Sequence, residues 1–94
     1  MKARWTEPAL QHLHEAYDSV RLDKPDAAAR LMDRIEAAVG QLRMFPQMGA
    51  PSARPKARQF AVSGTPFIVV YRVADNVLEI LAVFHGAQNW KGNL

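Results

Sequence analysis

Two runs of β-branched and aromatic residues, Phe67 to Val73 and Val77 to Phe84, flank the dipeptide Asp75-Asn76. A two-residue loop of this composition closes a β-hairpin and fixes which residues face each other. Phe67 then lies opposite Phe84, Val69 opposite Ala82, Tyr71 opposite Ile80 and Val73 opposite Leu78, a wholly apolar face. The other face pairs Arg72 with Glu79, Val70 with Leu81 and Ile68 with Val83. An opposite-charge pair in register supports the assignment, although cross-strand pairs contribute only about 0.2–1 kcal/mol. A hairpin with one apolar face needs a cover, and the preceding residues supply it.

Arg4-Trp5 reads as a short first strand, and Thr6 as a helix N-cap with Glu7 and Pro8 in the first turn. Leu10, Leu13, Tyr17 and Val20 recur at helical steps to about Arg21. Leu22-Asp23-Lys24-Pro25 breaks the pattern, and Asp23 can cap a second helix with Pro25 and Asp26 in its first turn. Ala28, Leu31, Ile35, Ala38 and Leu42 form the next stripe, widened by Met32 and Val39. It stops at Phe45, because Pro46 disfavours helix in the residue before it. So short a connection predicts an antiparallel helix hairpin. Residues 46–57 form a Pro/Gly-rich loop, Arg58 to Val62 a strand, and Ser63-Gly64-Thr65-Pro66 a turn. The expected fold is α+β in the order β-α-α-β-β-β, with the helix hairpin on one face of a mostly antiparallel sheet. Residues 1–94 make one domain. Two helices cannot cover both faces, so Ile68, Val70, Leu81 and Val83 leave an apolar patch that calls for a partner.

The 94 residues include no cysteine, which excludes disulfides, thiolate metal sites and a cysteine nucleophile. The longest apolar run, Phe67 to Tyr71, is far short of the roughly 20 residues that span a bilayer. No secretory signal is legible, and a cytoplasmic protein without membrane association is expected. Charge is uneven along the chain. Residues 37–74 hold Arg43, Arg54, Lys56, Arg58 and Arg72 and no acidic residue, whereas the remainder carries seven basic and nine acidic residues. A locally basic strip suits an anionic partner as well as it suits a solvated face.

No His/Asp/Glu cluster has metal-ligand spacing, and no glycine loop suited to a phosphate is present, so no cofactor is expected. His85, at the end of the last strand, shares a face with Arg72, Glu79 and Val83 by parity, and is either a general acid or base or a strand-end hydrogen-bonding group. Arg54, Lys56 and Arg58 can hold a phosphate, meet an acidic surface or remain solvated. His12 and His14 fall on the polar side of the first helix and receive no role.

The segments Trp5-Thr6-Glu7-Pro8-Ala9-Leu10, Pro25-Asp26-Ala27-Ala28, Phe45-Pro46-Gln47-Met48-Gly49 and Val70-Tyr71-Arg72-Val73, closing on Val83-Phe84-His85-Gly86-Ala87-Gln88-Asn89-Trp90, together resemble the RelE/ParE superfamily. These are toxins of type II toxin–antitoxin modules. The resemblance implies a toxin neutralised by a cognate antitoxin protein, with Ile68, Val70, Arg72, Leu81 and Val83 as the expected docking face. RelE-like members cut mRNA at the ribosome, and ParE-like members poison DNA gyrase. The ribonuclease branch commonly places an arginine ahead of the tyrosine on the middle strand, where this chain has Pro66-Phe67. Near Gln88, where many relatives carry arginine, it has a neutral amide. The Tyr-Arg-Val strand and the His-Gly-Ala-Gln-Asn-Trp ending resemble ParE. That branch implies gyrase binding through Arg54, Lys56, Arg58 and Trp90. The other branch implies an mRNA endonuclease using His85, Arg58 and Lys56. A degenerate toxin that retains only antitoxin binding is the third reading.

Overall fold

The computed structural model describes residues 1–86. The elements run β1 (Lys2–Trp5), α1 (Glu7–Asp23), α2 (Pro25–Met44), β2 (Ala50–Pro51), β3 (Arg58–Ala61), β4 (Phe67–Ala74) and β5 (Val77–His85). The sheet has the order β1-β5-β4-β3-β2, parallel between β1 and β5 and antiparallel elsewhere. The α1–α2 hairpin covers one face, burying Leu31, Ile35 and Leu42 against Val69, Tyr71, Leu78 and Ile80. The architecture is the expected α+β one, with the two-residue β2 added inside the proline-rich loop.

Thr6 caps α1 as expected, its hydroxyl oxygen accepting from the Ala9 amide at 3.4 Å. Asp23 does not cap α2. It remains the last residue of α1, and Lys24 alone separates the helices, with φ −145° and ψ 90° and no side-chain cap bond. Pro25 explains the economy: it holds the preceding residue extended and occupies a first-turn position where its missing N–H costs nothing. The buried face of α1 also differs from the expected stripe. Ala9 and Ala16 are buried, Leu13 and Val20 pack beside them, and Leu10 is 43% exposed. The two alanines let the helix lie close to the sheet, which rotates Leu10 outward.

Asp75 and Asn76 have φ of 52° and 60°, the left-handed pair of a type I′ turn. Pairing follows the expected register from Ala74–Val77 to Tyr71–Ile80 and then shifts at Val70/Tyr71. Val70 faces Ala82, Val69 faces Val83, Ile68 faces Phe84 and Phe67 faces His85, leaving Leu81 as the extra residue of a β-bulge. The expected pairs Phe67–Phe84, Val69–Ala82, Val70–Leu81 and Ile68–Val83 are therefore replaced. One added residue inverts strand parity. Val83 joins the core and His85 moves to the helix side, not the side of Arg72 and Glu79.

The bulge sits where β1 leaves the sheet. The Thr6 amide donates to the Ile80 carbonyl at 3.1 Å, and the Thr6 hydroxyl donates to it at 2.8 Å. Beyond that point α1 makes a contact with the β5 edge. The Val83 amide donates to His12 Nδ1 at 3.2 Å, giving a structural role to a histidine that the sequence left without one.

Tyr71 is fully buried and ties the sheet to the proline-rich loop. Its hydroxyl donates to the Pro46 carbonyl at 2.7 Å and accepts from the Gly49 amide at 2.9 Å. Arg58 Nη1 donates to the Gly49 carbonyl at 2.8 Å. Gly49 is required by close approach, because a Cβ there would lie 2.5 Å from the Tyr71 hydroxyl and 2.8 Å from the Gln59 carbonyl. Burial raises the Tyr71 phenol above its ordinary pKa of 10.0, against smaller opposing effects of the Gly49 bond and the Arg58 charge.

Tyr71→Phe removes both hydroxyl bonds and should cost about 1–3 kcal/mol in urea unfolding. Gly49→Ala should cost about 1–3 kcal/mol by overpacking the same junction. An unchanged midpoint in either variant would contradict the role assigned to this junction. Because the folded-state pKa of Tyr71 is raised, the unfolded chain ionises first as pH climbs. Its contribution is complete below about pH 10 and is lost above that value as pH rises through the folded pKa. Melting followed from about pH 8 to 11 should show a steeper alkaline loss in wild type than in Tyr71→Phe.

Candidate functional site

On the sheet face away from the helices, Arg4, Glu79 and Arg72 occupy one rung across β1, β5 and β4. Glu79 is only 7% exposed and accepts from both guanidinium groups, from Arg72 Nε at 2.7 Å and from Arg4 Nη2. Arg72 is thus committed within the sheet. The expected docking face is altered with it. Val83 is in the core, Val70 is 5% exposed, and Ile68 and Leu81 are half-buried.

The basic segment is largely consumed by internal bonds. Arg43 Nε donates to the Met1 carbonyl at 2.8 Å, Arg58 holds Gly49, and Arg72 holds Glu79. Arg54 and Lys56 project from the loop as exposed residues, Lys56 with a φ of 61°. A short turn presents them: the Arg54 amide donates to Ser52 Oγ at 3.1 Å, and the Ala57 amide donates to the Arg54 carbonyl at 3.2 Å.

A cleft of about 530 Å³ lies between α1 and this loop, across the β5 edge that β1 leaves open. Arg54 stands on one side, His12 and Glu15 on the other, and Phe67, Phe84 and His85 line it between them. The His85 ring meets Phe67 edge-on, with centroids 5.4 Å apart and an interplanar angle of 73°. A cation, a carboxylate and two imidazoles around an apolar floor can hold an anionic group and can move protons. His85 and Arg54 are brought together here. Lys56 and Arg58 do not line the cleft, so the three residues expected of a ribonuclease are not assembled as a set. Trp90 lies outside the described residues.

Sequence reasoning missed His12 and Glu15. Their helical spacing, three residues apart, puts them on one side of α1, and that polar side becomes a rim of the cleft. Among the described residues, no group of three or more His, Asp or Glu side chains could hold a metal ion. Among them, too, no helix is long and apolar enough to cross a membrane.

Residues 3–90 match the family model described as the ParE toxin of type II toxin–antitoxin system, parDE. The chain is 39% identical over 89 residues to the protein Y4kP of Sinorhizobium fredii, covering 95% of this chain and 92% of that one. It is 31% identical over 84 residues to toxin RelE2 of Caulobacter vibrioides, covering 89% and 93%. A chain from the chromosomal ParDE system of P. aeruginosa superposes with a TM-score of 0.74 at 26% identity, covering 90% of this chain and 95% of that one. The meander, the basic loop and the matching family model over nearly the whole length lead to one assignment: the chain belongs to the ParE toxin family of type II toxin–antitoxin systems.

Proposed function

We propose that the protein acts in the cytoplasm as the toxin of such a module, is held inactive by a cognate antitoxin, and inhibits DNA gyrase by binding to it. The observation that supports a binding mode is the dispersal of the would-be catalytic set. Arg58 is engaged with the Gly49 carbonyl, and Lys56 is exposed outside the cleft that His85 lines. A ribonuclease needs its base, acid and phosphate-holding cations within reach of one scissile group. A binding toxin needs only a positioned surface, and the Tyr71-anchored loop offers Arg54 and Lys56 on one.

A second reading, a ribosome-dependent mRNA endonuclease, is favoured by one feature, the company of His12, Glu15, Arg54 and His85 around a single cleft. There His85 would act as acid or base, with Arg54 as the phosphate-holding cation in place of Arg58 and Lys56.

Purified protein should abolish supercoiling by gyrase while leaving mRNA on translating ribosomes intact. Arg54→Glu combined with Lys56→Glu should weaken that inhibition by about tenfold or more, since a charge-steered contact would become repulsive. Cleavage of ribosome-bound mRNA that disappears in His85→Ala would transfer the assignment to the endonuclease. Soluble expression without any effect on growth would sink both active readings and leave the degenerate toxin.

A further inference from the structure

Six large apolar side chains are exposed among the described residues, and four of them, Met44, Phe45, Met48 and Val73, belong to one end of the molecule. Met44 ends α2 and Phe45 caps it, and they are 74% and 59% exposed. The Met48 amide donates to the Phe45 carbonyl at 3.0 Å, so Phe45 and Met48 close a single turn. Arg43 Nε, on the Met1 carbonyl, holds the end of α2 beside the start of β1, where Lys2 pairs with Val77 at the foot of the β4–β5 hairpin. Val73 lies there too, two residues beyond Tyr71 and on the same face of β4. The four side chains therefore gather where α2, the proline-rich loop and the β4–β5 hairpin meet.

This patch is held in place from beneath. The Tyr71 hydroxyl binds the Pro46 carbonyl and the Gly49 amide, which bracket Met48 in the chain. An apolar surface that is already ordered loses little conformational freedom when a partner covers it. Its setting is basic: Arg43 precedes Met44, Arg58 reaches Gly49, and residues 37–74 hold no carboxylate, the next one being Asp75 at the hairpin turn. Phe, Met and Arg are the types enriched in protein–protein interfaces, and methionine adapts its shape to an irregular pocket. A polynucleotide fits less well, because its phosphates would leave four apolar side chains uncovered. The other group of cations, Lys24, Arg30 and Arg34, stands at the opposite end of α2, around a cleft at the helix-hairpin tip.

We propose that Met44, Phe45, Met48 and Val73 are the apolar anchor of the target interface, seated in an apolar pocket with a carboxylate rim on the target protein. The inference rests on the target-binding reading above, with gyrase as the target. Phe45 is the central ring of the anchor, Arg43 and Arg58 meet the rim, and Arg54 and Lys56 extend the contact along the same loop. The labour is divided: the cations steer the approach, and the apolar cluster sets how long the complex lasts.

The test is Met44→Ala combined with Phe45→Ala, titrated against gyrase in a supercoiling assay and separately against the antitoxin encoded beside the toxin. Inhibition should weaken by about tenfold or more, chiefly through faster release, while antitoxin affinity and melting temperature stay near those of wild type. Phe45→Leu should keep most of the inhibition, since the pocket stays filled. Phe45→Gln removes the ring alone and decides the matter if the double variant fails to fold. Full inhibition by a folded variant overturns the anchor alone. An equal loss of antitoxin affinity, or a wild-type dimer in sedimentation that the variant lacks, gives the patch to another occupant and overturns the target contact. A wild-type protein that leaves supercoiling intact overturns the gyrase reading and the anchor with it.

Discussion

The buried hydroxyl of Tyr71 is the interaction on which the functional surface depends. It meets a carbonyl and an amide three residues apart, at Pro46 and Gly49, and so fixes where the chain goes after α2. From that point the loop is braced a second time by Arg58 on the Gly49 carbonyl and a third by β2 pairing with β3. Every cation the loop presents is placed by this sequence of contacts. A buried hydroxyl that both donates and accepts leaves no polar group unmatched, which is why one phenol can hold a segment that has almost no regular structure of its own.

The basic segment changes meaning in this light. Five cations without a carboxylate look like an electrostatic surface, yet Arg43, Arg58 and Arg72 act mainly as long hydrogen-bonding struts to Met1, Gly49 and Glu79. Guanidinium suits that work because its fork of donors reaches a carbonyl or carboxylate while its stem lies on apolar surface. Only Arg54 and Lys56 are left to face outward from the loop. The electrostatic surface at the hairpin tip is built instead by Lys24, Arg30 and Arg34, from a region whose sequence is acidic on balance.

Much of the fold was legible because periodicity and turn chemistry agreed. The α2 stripe, the Thr6 cap, the Asp75-Asn76 turn and the pairing of Arg72 with Glu79 all follow from residue type and spacing. The bulge was not legible. From Ile80 to Phe84 every residue is apolar, so shifting the register by one leaves an equally plausible pattern on each face. The shifted register coincides with the departure of β1 at Thr6, a tertiary fact. The same blindness put His85 and Val83 on the wrong face of the sheet. The phase of α1 failed for a related reason: close packing favoured Ala9 and Ala16 over the larger Leu10, and hydrophobicity alone ranks them the other way.

The extra residue at Leu81 also makes this strand tolerant of a change in chain length at one point. Losing Leu81 would leave Ile80 opposite Tyr71 and Ala82 opposite Val70, a regular ladder without the bulge. Val83 would stay opposite Val69 in the interior and His85 opposite Phe67, each on the face it holds now. Relatives of this fold could therefore gain or lose this residue by a single codon and keep the chemistry of each face in place.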